Sequence, residues 1–105
     1  MHFVQVIESA TNVESDTTCI VKALPAPLAT NLEEALHNLK INFSRRCPDR
    51  IEAETNGITI LNILGGVEYN VYGQSMAMEE SNIGGRTVRV QKLVWTMGKT
   101  NSISN

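Results

Sequence analysis

The sequence predicts an α+β fold, a twisted antiparallel β-sheet of about five or six strands with one long helix packed on one face, in the order ββαββββ. Three observations carry this. "TNLEEALHNLKINFSRR" has the apolar spacing of an amphipathic helix, and "RIEAETNGITILNILGGVEYNVYG" divides β-rich runs at two glycine-containing pairs. "HFVQVIE" and "TTCIVKAL" place two further strands ahead of the helix, joined by the polar loop "SATNVESD".

The helix is predicted to start at Thr30, an N-cap with Glu33 three residues later as a capping box. Leu32, Ala35, Leu36, Leu39 and Phe43 then form one stripe, while Glu34, His37, Lys40 and Ser44 look away. Glu33 and Glu34 suit the first turn, Arg45 and Arg46 the last, and Pro48 ends the helix. "PAP" at 25–27 reads as an extended lead-in.

Asn56-Gly57 and Gly65-Gly66 each meet the demand of a tight primed turn, so residues 50–72 read as a meander. Its register sets Ala53 against Ile60, Ile51 against Asn62, Asn62 against Tyr69 and Ile60 against Val71, all toward the helix. Asn62 is the polar exception there, a buried group expected to hydrogen-bond or to line a small polar pocket. The opposite face carries Leu61, Ile63 and Tyr72, with Trp95 completing an apolar patch rimmed by Glu52, Glu54 and Glu68. The alternative is that the N-terminal strands, with Phe3, Val4, Val6, Ile20 and Val21, fold over this patch as a sandwich. Gly73 reads as a bulge re-aiming Met76 and Met78, "SNIGG" as a turn, and Arg86 to Trp95 as the last strand. Residues 1–97 form a single domain and 98–105 a flexible C-terminal tail.

Composition narrows the function classes. A chain of 105 residues, 42% hydrophobic and 19% charged, can bury an ordinary core without disulfide or metal, and no membrane-spanning run is present. The N-terminus lacks a secretory signal pattern, so a cytoplasmic location is expected. Cys19 and Cys47 read as free thiols with no zinc spacing. A formal charge of -2 offers no general attraction for nucleic acid or an anionic membrane. No phosphate-loop or dinucleotide motif precedes a helix, so no cofactor and no metal is expected.

Two local patterns point to chemistry. Arg45, Arg46 and Arg50 surround Cys47, as an anion-binding, thiolate-stabilising site would require. Against this, a helix C-terminus disfavours a thiolate, and Ala53 stands where a phosphatase-like loop needs arginine. His2 and His37 are the two imidazoles, and neither sits in a catalytic spacing. The pairs Glu33 with Glu34, Glu52 with Glu54 and Glu79 with Glu80 each have a structural reason to exist. "NIGGRTVRVQKL" resembles the closing strand of an RNA-recognition motif over a dozen residues. That family carries a base-stacking aromatic octapeptide where this chain has "VEYNVYGQ", so no binding residue is carried over.

The sequence therefore reads as a small non-enzymatic binding or interaction protein, inhibitor-type modules included. Its interface of Leu61, Ile63, Tyr72 and Trp95 is expected to make a homodimer or dock another protein. The alternatives are a thiol-dependent enzyme using Cys47 and a nucleic-acid-binding module using Arg86, Arg89 and Lys92. With no base beside the thiol, Cys47→Ser is expected to leave the melting temperature and any activity unchanged; a variant that keeps its fold and loses a measured activity would restore the enzyme reading.

Overall fold

The computed structural model describes residues 2–11 and 17–99. It is an α+β fold with two helices and a six-stranded, wholly antiparallel sheet. The elements in chain order are β1 (His2–Thr11), β2 (Thr17–Lys22), α1 (Ala26–Asn38), β3 (Phe43–Cys47), β4 (Arg50–Ala53), α2 (Gly57–Gly65), β5 (Asn70–Ile83) and β6 (Arg86–Lys99). Across the sheet the strands run β3-β4-β2-β1-β6-β5. The order is thus ββαββαββ, and the expected single long helix is two shorter ones.

Helix α1 begins earlier than the capping box suggests. Pro25 is its N-cap and Pro27 lies in the first turn, where a missing N–H costs nothing. Thr30 is inside the helix, and its hydroxyl donates back to the Ala26 carbonyl at 3.2 Å. The helix also stops earlier, at Leu39. Lys40 turns left-handed (φ 59), its N–H donates to the His37 carbonyl, and the Ile41 N–H donates to the Leu36 carbonyl. These two bonds close a Schellman motif, and holding a non-glycine residue there costs about 1 kcal/mol. Ile41 returns that cost by packing against the core, as does Phe43 from β3. The Phe43 position that looked like a continued helical stripe is therefore a strand residue meeting the same core.

Residues 57–65 are the larger departure from expectation. Asn56-Gly57 is an N-cap and first helical residue, not a hairpin turn: the Asn56 side chain accepts from the Thr59 N–H and hydroxyl, each at 2.9 Å. The Gly57 N–H donates to Glu8 Oε1 at 2.8 Å, so a carboxylate from β1 also satisfies the positive end of the helix. Gly57 is required for space, since a Cβ there would collide with Cζ3 and Cη2 of Trp95. Gly57, Ile60 and Leu64 face inward at helical spacing, with Leu61 and Ile63 half-buried beside them. β-Rich composition is overridden by a well-capped end and a seat on the sheet.

Both helices lie on the same side. Val4, Val6, Cys19, Val21, Ile51, Ala53, Trp95 and Met97 point up from the sheet into Leu28, Ala29, Leu32 and Leu36 of α1 and Ile60 and Leu64 of α2. The N-terminal strands do not fold over the sheet as a sandwich; β1 and β2 are its two central strands. β6 continues through Gly98 and Lys99, where a tail was expected, and the rest of that tail lies outside the described residues. The loop between β1 and β2 was expected at residues that fall largely outside them as well.

At the other end of the sheet, β5 and β6 form a hairpin closed by Gly84-Gly85, both with positive φ (58 and 80), the primed turn that "GG" suits. Among the described residues, β1 accompanies β6 only as far as the Thr11–Val90 pair, so the hairpin projects beyond the body. The molecule is accordingly long, 61 × 28 × 21 Å.

The seat under α2 makes a prediction of opposite signs. Gly57→Ala should lose about 1–3 kcal/mol to overpacking against Trp95, read by denaturant titration. Gly65→Ala, with open space around it and ordinary helical φ, should gain about 0.5–1 kcal/mol. Equal losses in both variants would show that the Trp95 contact is not the reason for glycine at 57.

Candidate functional site

The sheet has one covered face and one open face. Residues paired across the strands share a face, so Ser75, Val94, Ile7, Ile20 and Glu52 form one row across the open side. Toward one end of β1 the next residues are Thr96, Gln5 and Lys22, then Gly98 beside Phe3. Toward the other lie Ala77, Lys92, Ser9 and Thr18, then Val90. No helix or strand of the described residues lies on this face.

The apolar part of this surface falls in two groups on either side of the row Thr96, Gln5 and Lys22. Phe3 and Tyr72, 47% and 51% exposed, meet edge to face with ring centroids 5.8 Å apart. They meet because Gly98 lies between them on β6: a Cβ there would come within 3.0 Å of the Phe3 ring and 3.1 Å of the Tyr72 ring. Beyond that row, half-buried Ile7, Ile20 and Val94 form an aliphatic strip across the central strands. Its margins hold Lys22, Arg46 paired with Glu52 at 3.1 Å, and Lys92 paired with Glu79 at 3.6 Å.

Only one of the four interface residues read from the sequence lies here. Tyr72 does; Leu61 and Ile63 are on α2 and pack against the core, and Trp95 is a core residue under that helix. Asn62 is neither buried nor in a strand, being exposed on α2, so the polar pocket expected around it does not form. Each of these corrections follows from residues 57–65 being helical. Phe3, Ile7, Ile20 and Val94 were missed as open-face residues, although β1 carries apolar side chains of both parities, Phe3 and Ile7 against Val4 and Val6.

The basic clusters disperse. Arg45 and Arg46 lie on edge strand β3, not at a helix end, and point to opposite faces of it. Arg45 pairs with Glu33 of α1 at 2.8 Å and Arg46 with Glu52, while Arg50 lies across the β3–β4 turn opposite Cys47. The cleft beside β3, about 200 Å³, is lined by Arg46 and Asn42 together with Glu52 and Glu54, which pair with them. These pairings leave no convergent cationic site around the exposed Cys47. Of the other basic strip, Arg86 and Lys92 share a face by strand parity and Arg89 takes the other, where it pairs with Glu80 at 3.0 Å. Among the described residues no cluster of three or more His, Cys, Asp or Glu is placed to hold a metal ion, and no helix is long and apolar enough to cross a membrane.

Cys19 is the buried thiol, facing Glu8 across β1 and β2. Burial, and secondarily the Glu8 carboxylate, push it up to about 12 from an ordinary 9.0. The folded state therefore holds a proton that the unfolded chain releases above pH 9, so this contribution to stability is complete below pH 9.0 and is lost as pH rises toward about 12. Denaturant titrations should show stability falling above pH 9, less steeply in Cys19→Val; identical slopes would sink the assignment. Thiol reagents at neutral pH should label Cys47 in the native protein and Cys19 only on unfolding.

No family model and no curated protein matches the chain. Among solved structures it is similar to "a conserved kinetoplastid-specific protein from Trypanosoma cruzi", with a TM-score of 0.53 and 16% sequence identity, over 90% of this chain and 94% of that one. At that identity the likeness shows a shared fold.

Proposed function

We propose that this chain is a small non-enzymatic binding protein that docks another protein on the open face of its sheet. The observation that carries the reading is two apolar groups, Phe3 with Tyr72 and Val94 with Ile7 and Ile20, set on a face that no described element covers. A sheet face meant only for water alternates polar residues outward. Here the middle of the central row is aliphatic and, four residues along β1 from Ile7, two rings meet edge to face, with Lys22, Lys92, Arg46, Glu52 and Glu79 around them. An apolar centre with a mixed-charge rim is the makeup of a protein–protein interface, and aromatic side chains supply its strongest contacts. The occupant is a protein surface of matching apolar character, and occlusion of a larger protein is one form the activity takes. A cytoplasmic location belongs to the same reading, supported by two cysteines that are free thiols.

Ile7→Lys tests it. The position is at the centre of the strip and outside the helix-side core, so circular dichroism and melting should remain close to wild type. Co-purification from source cells is expected to yield a partner with the wild-type chain and to lose it with the variant. If the folded variant retains every protein that the wild type retains, the open face is not the docking surface.

A further inference from the structure

The two edges of the sheet are built differently. β3 is five residues long, shifts register between Arg45 and Cys47, carries two arginines and ends at Pro48, all features that discourage pairing with another strand. β5 is fourteen residues long and contains no proline, lysine or arginine. Its two charges, Glu79 and Glu80, are engaged by Lys92 and Arg89 of its own hairpin. Its one irregularity is the register shift between Val71 and Gly73, near the start. The middle of the strand carries Met76 and Met78, 63% and 59% exposed.

The turn fixes which backbone groups face outward. A two-residue primed turn makes its flanking residues, Ile83 and Arg86, a hydrogen-bonded pair, and such pairs alternate along an antiparallel ladder. Ser75, Ala77 and Glu79 therefore bond to β6, whereas Gln74, Met76, Met78 and Glu80 turn their N–H and C=O groups to the outer edge.

We propose that this edge pairs antiparallel with β5 of a second copy, about a two-fold axis at Ala77, joining two six-stranded sheets into one. The strand is complementary to itself in that register. Met76 faces the second copy's Met78 and Gln74 faces its Glu80, and in each pair both N–H···O bonds are exchanged between outward-facing groups. The two exposed methionines of each copy are thereby matched on the helix side of the sheet. On the axis, where non-hydrogen-bonded residues approach most closely, stands the small Ala77. Like charges stay apart: each Glu79 faces a Ser75, about 13 Å along the strand from the other Glu79. A two-fold closes the edge on itself, whereas pairing with β3 would propagate into a filament. The surface is separate from the open face, so the pairing does not depend on the docking reading.

Cysteine cross-linking in a Cys47→Ser background tests the register. Ala77→Cys would bring two thiols together across the axis with Cα atoms about 4.5 Å apart, within disulfide reach, and should yield a disulfide-linked dimer under mild oxidation. Ser75→Cys, its two copies about 13 Å apart, should not. The wild-type chain should sediment at twice its 11.6 kDa at tens of micromolar. Met78→Pro, which removes an outward N–H without touching the β6 ladder, should give a folded monomer. A wild type of single-chain mass, or a dimer that cross-links through Ser75→Cys and not Ala77→Cys, overturns the proposal. Both hold whether or not Met78→Pro folds, and whether or not Ile7→Lys loses a docked protein.

Discussion

The indole of Trp95 leaves no room for a side chain on the first residue of α2, and this contact decides where the helix can lie. Three separate parts of the chain converge there: β6 supplies Trp95, β1 supplies the Glu8 carboxylate that accepts from the Gly57 N–H, and Asn56 caps from within its own turn. None of the three would hold the helix alone, because a capped end is worth about 1 kcal/mol and nine residues are too few to be helical unaided. Together they start the helix at a fixed point over β1 and β6. Ile60 and Leu64 then fall between the sheet and α1, which is why both helices share one side.

That placement also solves a problem of topology. β4 is next to one edge of the sheet and β5 is the other edge, with β2, β1 and β6 between them. Four inter-strand spacings are about 19 Å. A meander cannot cross that distance, since each tight turn moves the chain by one strand. A nine-residue helix is about 14 Å long, and its flanking turns supply the rest. The chain therefore crosses above the sheet, and β5 arrives at β6 to form the long hairpin.

Much of the sheet was legible in the amino-acid order. The strands at "HFVQVIE" and "TTCIVK", the Gly84-Gly85 turn, the antiparallel pairing and a helix carrying Leu32 and Leu36 all follow from period and turn chemistry. The failures lie where one local pattern serves two physical purposes. Asn-Gly satisfies a primed turn, but asparagine is equally an N-cap, and glycine was needed under α2 for a ring that is distant in sequence. Thr30 with Glu33 imitates a capping box inside a helix already begun at Pro25, while Lys40 ends it without the usual glycine. A strand over 57–65 would alternate Leu61 and Ile63 away from Ile60 and Leu64, whereas the helix turns them toward the core and leaves Asn62 exposed. The parity argument for an open apolar face rests on Leu61 and Ile63, which are helical; the residues on that face come from β1, β2 and β6, with Tyr72 of β5.

The strand β1 shows why an uncovered face is an energetic question. Val4 and Val6 are fully buried beneath the helices, and Phe3 and Ile7 alternate with them on the other side. A strand apolar on both parities has the composition of one buried on both faces, as in sheets with helices on either side. Here the helices cover one side, and neighbouring side chains shield Ile7, Ile20 and Val94 only in part. Burying the remaining apolar area would return about 25 cal/mol per Å², and none of that gain is spent on folding, because the strands that present it are already ordered by the opposite core. An association on this face therefore starts from a rigid, preformed surface and avoids the ordering entropy that a flexible segment would have to overcome. The same argument explains why Phe3 and Tyr72 can stand half in water: the strands beneath them are secured by Val4, Val6 and Met97 on the far side of β1 and β6, so the open face is not needed to hold the fold together.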